Sequence, residues 1–566
     1  MSNTASDASY TVEIVQTTPF DGQKPGTSGL RKPVTVFQQP RYSENFIQAG
    51  LLAGLGDKLK GALLLVGGDG RYFCEEAAQL IIQIAAANGV SKVVIGQNGI
   101  LSTPACSHII RKYKLNGGFL LTASHNPGGP TGDFGIKYNI ENGGPAPESV
   151  TDYIYELTKT IKEYKIVPDL KVDISKLETS TYRISGVEFV VQVVDSTADY
   201  VEFMKTIFDF EAIKSYLQTK RVLLNAMSGV TGPYLRKIFV EIMGLSPDSC
   251  LNSEILPDFG GKHPDPNLTY AKDLVDIMRT GEHDFAAAFD GDGDRNMILG
   301  HGAFFVTPCD SLAVLAANLD SIPYFRQNGI KGFARSMPTS EAVDKVAAHL
   351  GKECYQTPTG WKFFGNLMDA GKISLCGEES FGTGSDHIRE KDGVWAALAW
   401  LSVLASTKKT VRDVLMDHWH IYGRNFFTRY DYENISSEAG DKIMAVLNDL
   451  IKDPKTKGMT FSSAGQTYEI SHADNFEHTD PIDGTISRNQ GIRLLFTDGS
   501  RIIYRLSGTG SSGATVRVYV EKFWKTNKPQ IYDQETQEIL NPLITIALQT
   551  SQLVELTGRK EPTVIT

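Results

Sequence analysis

The sequence predicts an α/β protein: three related α/β domains with mixed sheets, then a smaller C-terminal α+β domain. Three observations carry this. Short apolar strand patterns alternate with helix patterns over the first part of the chain, the mark of parallel α/β layers. A unit of strand, small-residue turn and helix then recurs near Val222 and near Gly332. After about residue 425 the texture changes to one long helix and shorter strands.

In order along the chain, ALLLVGGDGRYF reads as an apolar strand running into a glycine turn. CEEAAQLIIQIAAANG has helical periodicity and closes at Asn88-Gly89, a good C-terminal cap. KVVIG is the next strand, and TPACSHIIRKY the next helix, with Pro104 near its start. GGFLLTASHN is a strand leading to Ser124. VLLNAMSGVTGPY and GFARSMPTSEAVDKVAAHLG are the recurring units. VWAALAWLSVLA is too short for a membrane span and reads as a buried helix. AGDKIMAVLNDLIK opens the last domain's pattern, and Asp498-Gly499 marks a hairpin within RLLFTDGSRIIYRLS, before the strand ATVRVYVEKF. The expected domain limits are 1–196, 197–306, 307–424 and 425–566.

The 566 residues exceed what one hydrophobic core serves. At 41% hydrophobic and 22% charged, the chain can bury a sizeable core. A net charge of −10 argues against a general nucleic-acid or anionic-membrane binder, while leaving room for a local basic pocket. Six scattered cysteines, with no C-x-x-C pair, read as free thiols in a reducing compartment. The N-terminal stretch is polar and has no basic residue before Lys24, so neither a signal nor a transit peptide is expected. The expected address is the cytoplasm.

Four stretches carry chemistry. TASHNPGG sets Ser124 beside His125 at the end of a strand. A nucleophile elbow needs glycines around the serine, and they are missing. Neighbouring residues point apart, so adjacency makes no catalytic dyad. On its own, Ser124 reads equally as a turn-capping serine. AAAFDGDGDRNMILG offers Asp290, Asp292 and Asp294, separated by Gly291 and Gly293. Three such carboxylates repel unless a cation neutralises them, and oxygen ligands favour Mg²⁺ or Ca²⁺. An EF-hand fails, because its glycine position is Arg295 and its closing glutamate position is His301. RLSGTGSSGATVRVY matches G-x-G-x-x-G literally, but a strand pattern follows where a dinucleotide site needs a helix. Ser507, Thr509, Ser511 and the loop amides can still cradle a phosphate, with Arg517 adding charge-assisted bonds. CGEESFGTGSDHIREKDG gathers carboxylates and hydroxyls suited to a sugar, and Arg and Lys suited to phosphate. Alone, it would read as a solvated charged loop.

Together these stretches resemble the α-D-phosphohexomutase superfamily, most closely its eukaryotic phosphoglucomutase branch. The resemblance runs nearly end to end, through KPGTSGLRK, TASHNPGG, GDFGIKYN, HPDPNLTY, DGDGDR, PTGWKFF, CGEESFGTGS with IREKDG, RLSGTGSSGAT and EPTVIT. It implies four domains around a central active-site cleft, one loop from each. Ser124 would be the phosphoserine whose phosphoryl group is transferred. Asp290, Asp292 and Asp294 would hold one Mg²⁺, with an oxygen on Ser124 completing the site. Arg31 and Arg295 would steady the transferring group. Thr359 and Gly360 would face the sugar, Glu378 and Ser380 would bind its hydroxyls, and Lys391 would help hold it. Ser507, Thr509, Gly510 and Arg517 would take the phosphate that is not reacting. His125 and Lys137 are the proton-handling candidates.

The implied activity interconverts glucose 1-phosphate and glucose 6-phosphate, with glucose 1,6-bisphosphate as intermediate and activator. Phosphoryl transfer needs positioning and charge neutralisation above all. The intermediate must turn over inside a site closed to water, which a mobile fourth domain would provide. The expected partners are hexose phosphates, with no nucleic acid and no membrane, and the chain acts as a monomer or a dimer. Two alternatives are a non-catalytic structural or secretory-associated relative, and a mutase for another hexose phosphate. The intact loops argue against the first, and GEESFG against the second.

Overall fold

The computed structural model describes residues 3–26, 28–507 and 513–566. Four main sheets follow one another along the chain. The first has eight strands, in the spatial order Asn3–Tyr10, Thr179–Ile184, Val187–Val194, Lys92–Ile100, Leu63–Gly68, Gly117–Leu121, Asp133–Ile140, Leu30–Pro33. Its centre, from Val187–Val194 to Gly117–Leu121, is parallel, and Asp133–Ile140 and Leu30–Pro33 add on antiparallel. The central strands are buried apolar runs because helices cover both faces. One of these, Cys74–Ala87, buries Ala77, Ala78, Ile81, Ile82 and Ala85 at helical spacing. Another, Thr103–Lys112, is capped by Ser102, whose side chain accepts from the Ala105 amide, and carries Pro104 in its first turn.

The second and third sheets repeat the theme in smaller form. Val222–Asn225 runs parallel to Phe285–Phe289, which turns back antiparallel into Asn296–Gly300. Phe333–Ser336 runs parallel to Leu375–Gly377, which turns back into Thr383–Ser385. The fourth sheet is antiparallel and seven-stranded, with Arg501–Ser507 and Ala514–Trp524 at its middle. These are the mixed α/β sheets and the final α+β unit that the sequence predicts. A strand follows the glycine-rich loop, so no dinucleotide fold is built there.

One position recurs in all four. The site loops connect a strand to its antiparallel neighbour: after Gly117–Leu121, after Phe285–Phe289, after Leu375–Gly377 and after Arg501–Ser507. The helix Gly393–Thr407 buries Trp395 and Trp400 and lies at the centre of an apolar core running from Leu65 through Leu224 and Phe289 to Phe333. The fourth sheet keeps a core of its own around Phe426, Tyr504, Val518 and Leu543. Arg501, paired with Glu521 inside this sheet, joins it to the third by donating to the carbonyls of Met337 (3.3 Å) and Thr339 (3.0 Å), beside a small apolar cluster of Cys309 and Met337 with Phe427, Ile503 and Tyr519. All six cysteines are free thiols. No helix among the described residues is long and apolar enough to cross a membrane.

Candidate active site

The serine loop is held in an unfavourable shape. Ser124 has φ +51° and is buried. A left-handed backbone at a residue with a side chain costs about 1–2 kcal/mol, so other contacts must impose it. Its amide donates to Thr122 Oγ1 (2.8 Å), and its carbonyl accepts from Arg71 Nη2 (2.7 Å). Arg71 also donates to the carbonyls of Asp133 (3.0 Å) and Asn126 (3.3 Å), and its Nε lies 2.9 Å from Asp69 Oδ2. That same carboxylate oxygen accepts from Thr122 Oγ1 (2.6 Å). Neither Asp69 nor Arg71 carries a local signal in the sequence. They lie in the turn DGR, about fifty residues before the loop they clamp.

The Ser124 hydroxyl donates to Asp290 Oδ2 (2.8 Å), which brings the first two loops together. A Cβ on Gly291 would lie 2.6 Å from the Ser124 carbonyl oxygen, so glycine permits the approach. The ligand oxygens of Asp290, Asp292 and Asp294 all lie within 4.8 Å of one another and are buried. Thr103 binds this loop twice, through its amide to the Asp292 carbonyl (3.0 Å) and through Oγ1 to Asp292 Oδ2 (2.7 Å). Asp292 Oδ1 and Asp294 Oδ1 have no hydrogen-bond partner. Burial, then the charges of Asp292 and Asp294, push the Asp290 carboxyl well above its ordinary value. Oxygen-only donors, mutual repulsion and two unpartnered buried oxygens fit a hard divalent cation.

Arg295 follows directly. Its amide donates to Asp290 Oδ1 (3.0 Å) and its guanidinium to Asp265 Oδ1 (3.2 Å). Asp265 belongs to the HPDPNLTY stretch, where no spacing marks it for this contact. Arg31 is half-buried; burial first, then Arg71 and Arg295, lower its pKa against the opposing pull of Asp292 and Asp294. His125 makes no hydrogen bond to Ser124. Burial and the charges of Arg295 and Arg31 hold its pKa well below the usual range, so the ring is neutral. Lys137 is buried and paired with Glu390.

From the third sheet, the Gly360 amide donates to Glu378 Oε1 (3.3 Å), so Thr359-Gly360 and the GEESFG loop form one wall. Ser380 is half-buried there. Lys391 Nζ lies 3.2 Å from Asp294 Oδ2, joining this wall to the aspartate loop. Glu379, unassigned by sequence, is buried with Oε2 accepting from Ser336 (3.1 Å) and Thr339 (3.3 Å), and it anchors the wall from behind.

In the fourth sheet Ser507 ends its strand and pairs in register with Thr515. Thr509 and Gly510 lie outside the described residues. Arg517 is half-buried, with Nε 3.7 Å from Asp431 Oδ2. Directly across the ladder from it stands Arg505. Like charges in that position are destabilising unless an anion joins them, and Arg505 was not legible as a partner before the register was known. The Arg517 charge reaches the other loops, lowering the pKa of His125.

Across the first three loops and Arg517, buried polar atoms lack partners: Arg31 Nε, His125 Nδ1, Asp292 Oδ1, Asp294 Oδ1, Arg295 Nε, Thr359 Oγ1 and Arg517 Nε. Each such atom costs about 1–3 kcal/mol, so their concentration at one cleft marks a surface built to be filled.

Comparison with known proteins agrees with this geometry. The family models for phosphoglucomutase/phosphomannomutase alpha/beta/alpha domains I, II and III match residues 22–165, 198–302 and 308–422. The model for the phosphoglucomutase-1 C-terminal domain matches residues 424–563. The chain is 59% identical over 561 residues to phosphoglucomutase-1 of Homo sapiens, covering 98% of this chain and 100% of the relative. It is 57% identical over 564 residues to phosphoglucomutase 1 of Drosophila melanogaster, covering 99% and 100%. Among solved structures, the open form of the exocytosis-sensitive phosphoprotein pp63/parafusin, a phosphoglucomutase from Paramecium, matches with a TM-score of 0.89 and 47% identity over 99% of this chain and 100% of that one. With the models covering most of its length and full-length relatives this similar, the chain belongs to the phosphoglucomutase/phosphomannomutase family.

Proposed function

We propose that the protein is a phosphoglucomutase, interconverting glucose 1-phosphate and glucose 6-phosphate through a phosphorylated Ser124 and glucose 1,6-bisphosphate. The observation that carries this is the convergence of Ser124, three carboxylates and unpartnered arginine nitrogens on one cleft. Full-length similarity to proteins named phosphoglucomutase supports it. Domains 1–196, 197–306, 307–424 and 425–566 each give one loop, and the expected location is the cytoplasm.

Ser124 carries the phosphoryl group and gives it to the open hydroxyl of glucose 1-phosphate. Arg31 and Arg295 face the added negative charge. Asp290, Asp292 and Asp294, with Ser124, would hold Mg²⁺, which when bound neutralises charge on the transferring group. Thr359, Gly360, Glu378, Ser380 and Lys391 orient the sugar. Ser507, Thr509, Gly510 and Arg517 hold the idle phosphate, and the Arg505–Arg517 pair supports that role. The bisphosphate then turns over and returns its other phosphate to Ser124. His125, whose Nδ1 has no hydrogen-bond partner, would handle a proton. Keeping water out meanwhile protects the phosphoserine.

The test is a coupled assay for glucose 6-phosphate formed from glucose 1-phosphate with a trace of glucose 1,6-bisphosphate, run with Mg²⁺ and with chelator. The wild type turns over, chelator silences it reversibly, and Ser124→Ala folds but falls to background. Intact-mass measurement finds one phosphate, on Ser124. A fully active Ser124→Ala protein would overturn the mechanism.

A further inference from the structure

Lys137 stands opposite Leu120, on the strand beside the one that leads to the Ser124 loop, and a proton-handling role for it leaves its partner Glu390 unexplained. Strand Asp133–Ile140 carries Lys137 and Asn139 two residues apart, hence on one face. Both donate to the same oxygen, Glu390 Oε1, Asn139 Nδ2 at 2.9 Å and Lys137 Nζ more closely. Asn139 Nδ2 is itself anchored to the Gly143 carbonyl at 2.9 Å. Glu390 and Lys137 are both buried.

The neighbouring residues hold this arrangement rigid. Gly29, two residues before Arg31, packs so tightly that a Cβ there would lie 2.7 Å from Lys137 Cα and 2.5 Å from the Ile136 carbonyl oxygen. The loop bearing Glu390 is pinned on both sides. The Arg389 amide donates to Ser107 Oγ (3.0 Å). Asp392 accepts from Tyr200 Oη (2.6 Å) and pairs with His387 Nε2 (2.9 Å), whose other nitrogen meets Ser385 Oγ (2.6 Å). One peptide step from Glu390, Lys391 turns to Asp294 in the second domain. Two adjacent residues of opposite charge thus reach two other domains, at the point where their loops meet.

Stability does not account for such a pair. Desolvating two charges roughly cancels their attraction, and apolar replacements of similar volume are often neutral or better. What the pair does achieve is to fix where an ammonium stands. The Glu390 carboxylate and the anchored Asn139 amide leave Lys137 Nζ little freedom to swing.

We propose that Glu390 is a positioning residue for phosphoryl transfer, gripping Lys137 so that it stands as a fixed cation beside the strand that leads into the Ser124 loop. Electrostatic preorganisation of this kind acts where charge develops, and needs no rearrangement during the reaction. The inference rests on the phosphoglucomutase reading above.

The test is a double-mutant cycle with Glu390→Gln and Lys137→Met in the full chain, with kcat and KM for glucose 1-phosphate measured at saturating bisphosphate. The glutamine keeps the shape and loses the charge. Its kcat falls about 10- to 100-fold, the size of a lost hydrogen bond to a charged group, while KM changes little. In the Lys137→Met background, adding Glu390→Gln costs no more than about twofold, because the cation it served is gone. A merely structural Glu390 would lower the melting temperature and leave this split unmoved. Glu390→Asp covers the case in which glutamine prevents folding; it keeps the charge, withdraws it by one methylene, and also loses kcat at constant KM. Wild-type kcat in Glu390→Gln, or penalties that multiply across the cycle, would overturn the proposal. Wild type lacking mutase activity in the same assay would instead overturn the underlying reading.

Discussion

At the scale of single residues, the most consequential side chain outside the cleft is Arg71. It has no exposure to solvent, and its guanidinium also lies 5.1 Å from the Phe259 ring of the second domain. Three carbonyls of the serine loop depend on it, so its removal frees the loop from the left-handed turn at Ser124. It also strands Asp69 as an uncompensated buried charge. Arg71→Met therefore destabilises the protein by about 3–5 kcal/mol, read from the shift of the urea midpoint. Its Ser124 accepts phosphate from added glucose 1,6-bisphosphate more slowly than in the wild type. An unchanged midpoint would mean that the clamp carries no load. Arg71 shows where reading the sequence stops. Ser124 and the aspartates announce themselves because their neighbours in sequence are also their neighbours in chemistry. Arg71 and Asp69 act across about fifty residues, and nothing local in GGDGRYF distinguishes a clamp from a turn. Arg505 is the same case, since only the ladder register sets it opposite Arg517.

At the scale of elements, the strands and helices of the α/β part were legible because buried parallel strands are unbroken apolar runs and their covering helices have clear periodicity. The eight-stranded width of the first sheet was not, because its outer strands, such as Thr179–Ile184, alternate weakly and pair only through distant contacts. The helix Val411–Tyr422 supports a test in acid. Burial pushes the His418 imidazole down to about 3, with Nδ1 unpartnered and the ring against Tyr422. In the unfolded chain the same group titrates near about 6.5. Above that value it is neutral in both states and pH changes nothing. Between the two values only the unfolded chain takes up the proton, so stability falls with pH by about 1.4 kcal/mol per unit. From pH 6.5 to pH 5 this group alone removes about 2 kcal/mol. His418→Phe keeps the aromatic contact and has nothing to titrate, so its midpoint falls less on acidification than the wild type's. Equal slopes for the two proteins would place the acid sensitivity elsewhere.

At the scale of the whole molecule, the cleft exists where the loops of the first three sheets meet, Ser124 bonding to Asp290 and Lys391 pairing with Asp294. The resemblance could imply that convergence, but the contacts that enforce it, Thr103 to Asp292, Glu390 to Lys137 and Arg501 to the Met337 and Thr339 carbonyls, had no signal in sequence spacing. The last of these ties the fourth sheet to the third. Arg501→Met cuts that tie, so more bisphosphate escapes per turnover and kcat/KM falls about tenfold, in keeping with a lost charged hydrogen bond. Quantifying released bisphosphate against product checks this, and retention equal to the wild type's would assign closure to other contacts. The distribution of apolar packing also bears on how the protein comes apart. One core runs without a break beneath the first three sheets, while the fourth keeps its own and meets the third through a small apolar cluster of Cys309 and Met337 with Phe427, Phe476, Ile503 and Tyr519. This packing predicts two cooperative units of unequal size. Amide protons in the seven-stranded sheet can exchange through an opening that leaves the larger unit intact. A single melting temperature would then average two events, and the unit carrying Arg517 can detach while Ser124 and its three carboxylates remain assembled.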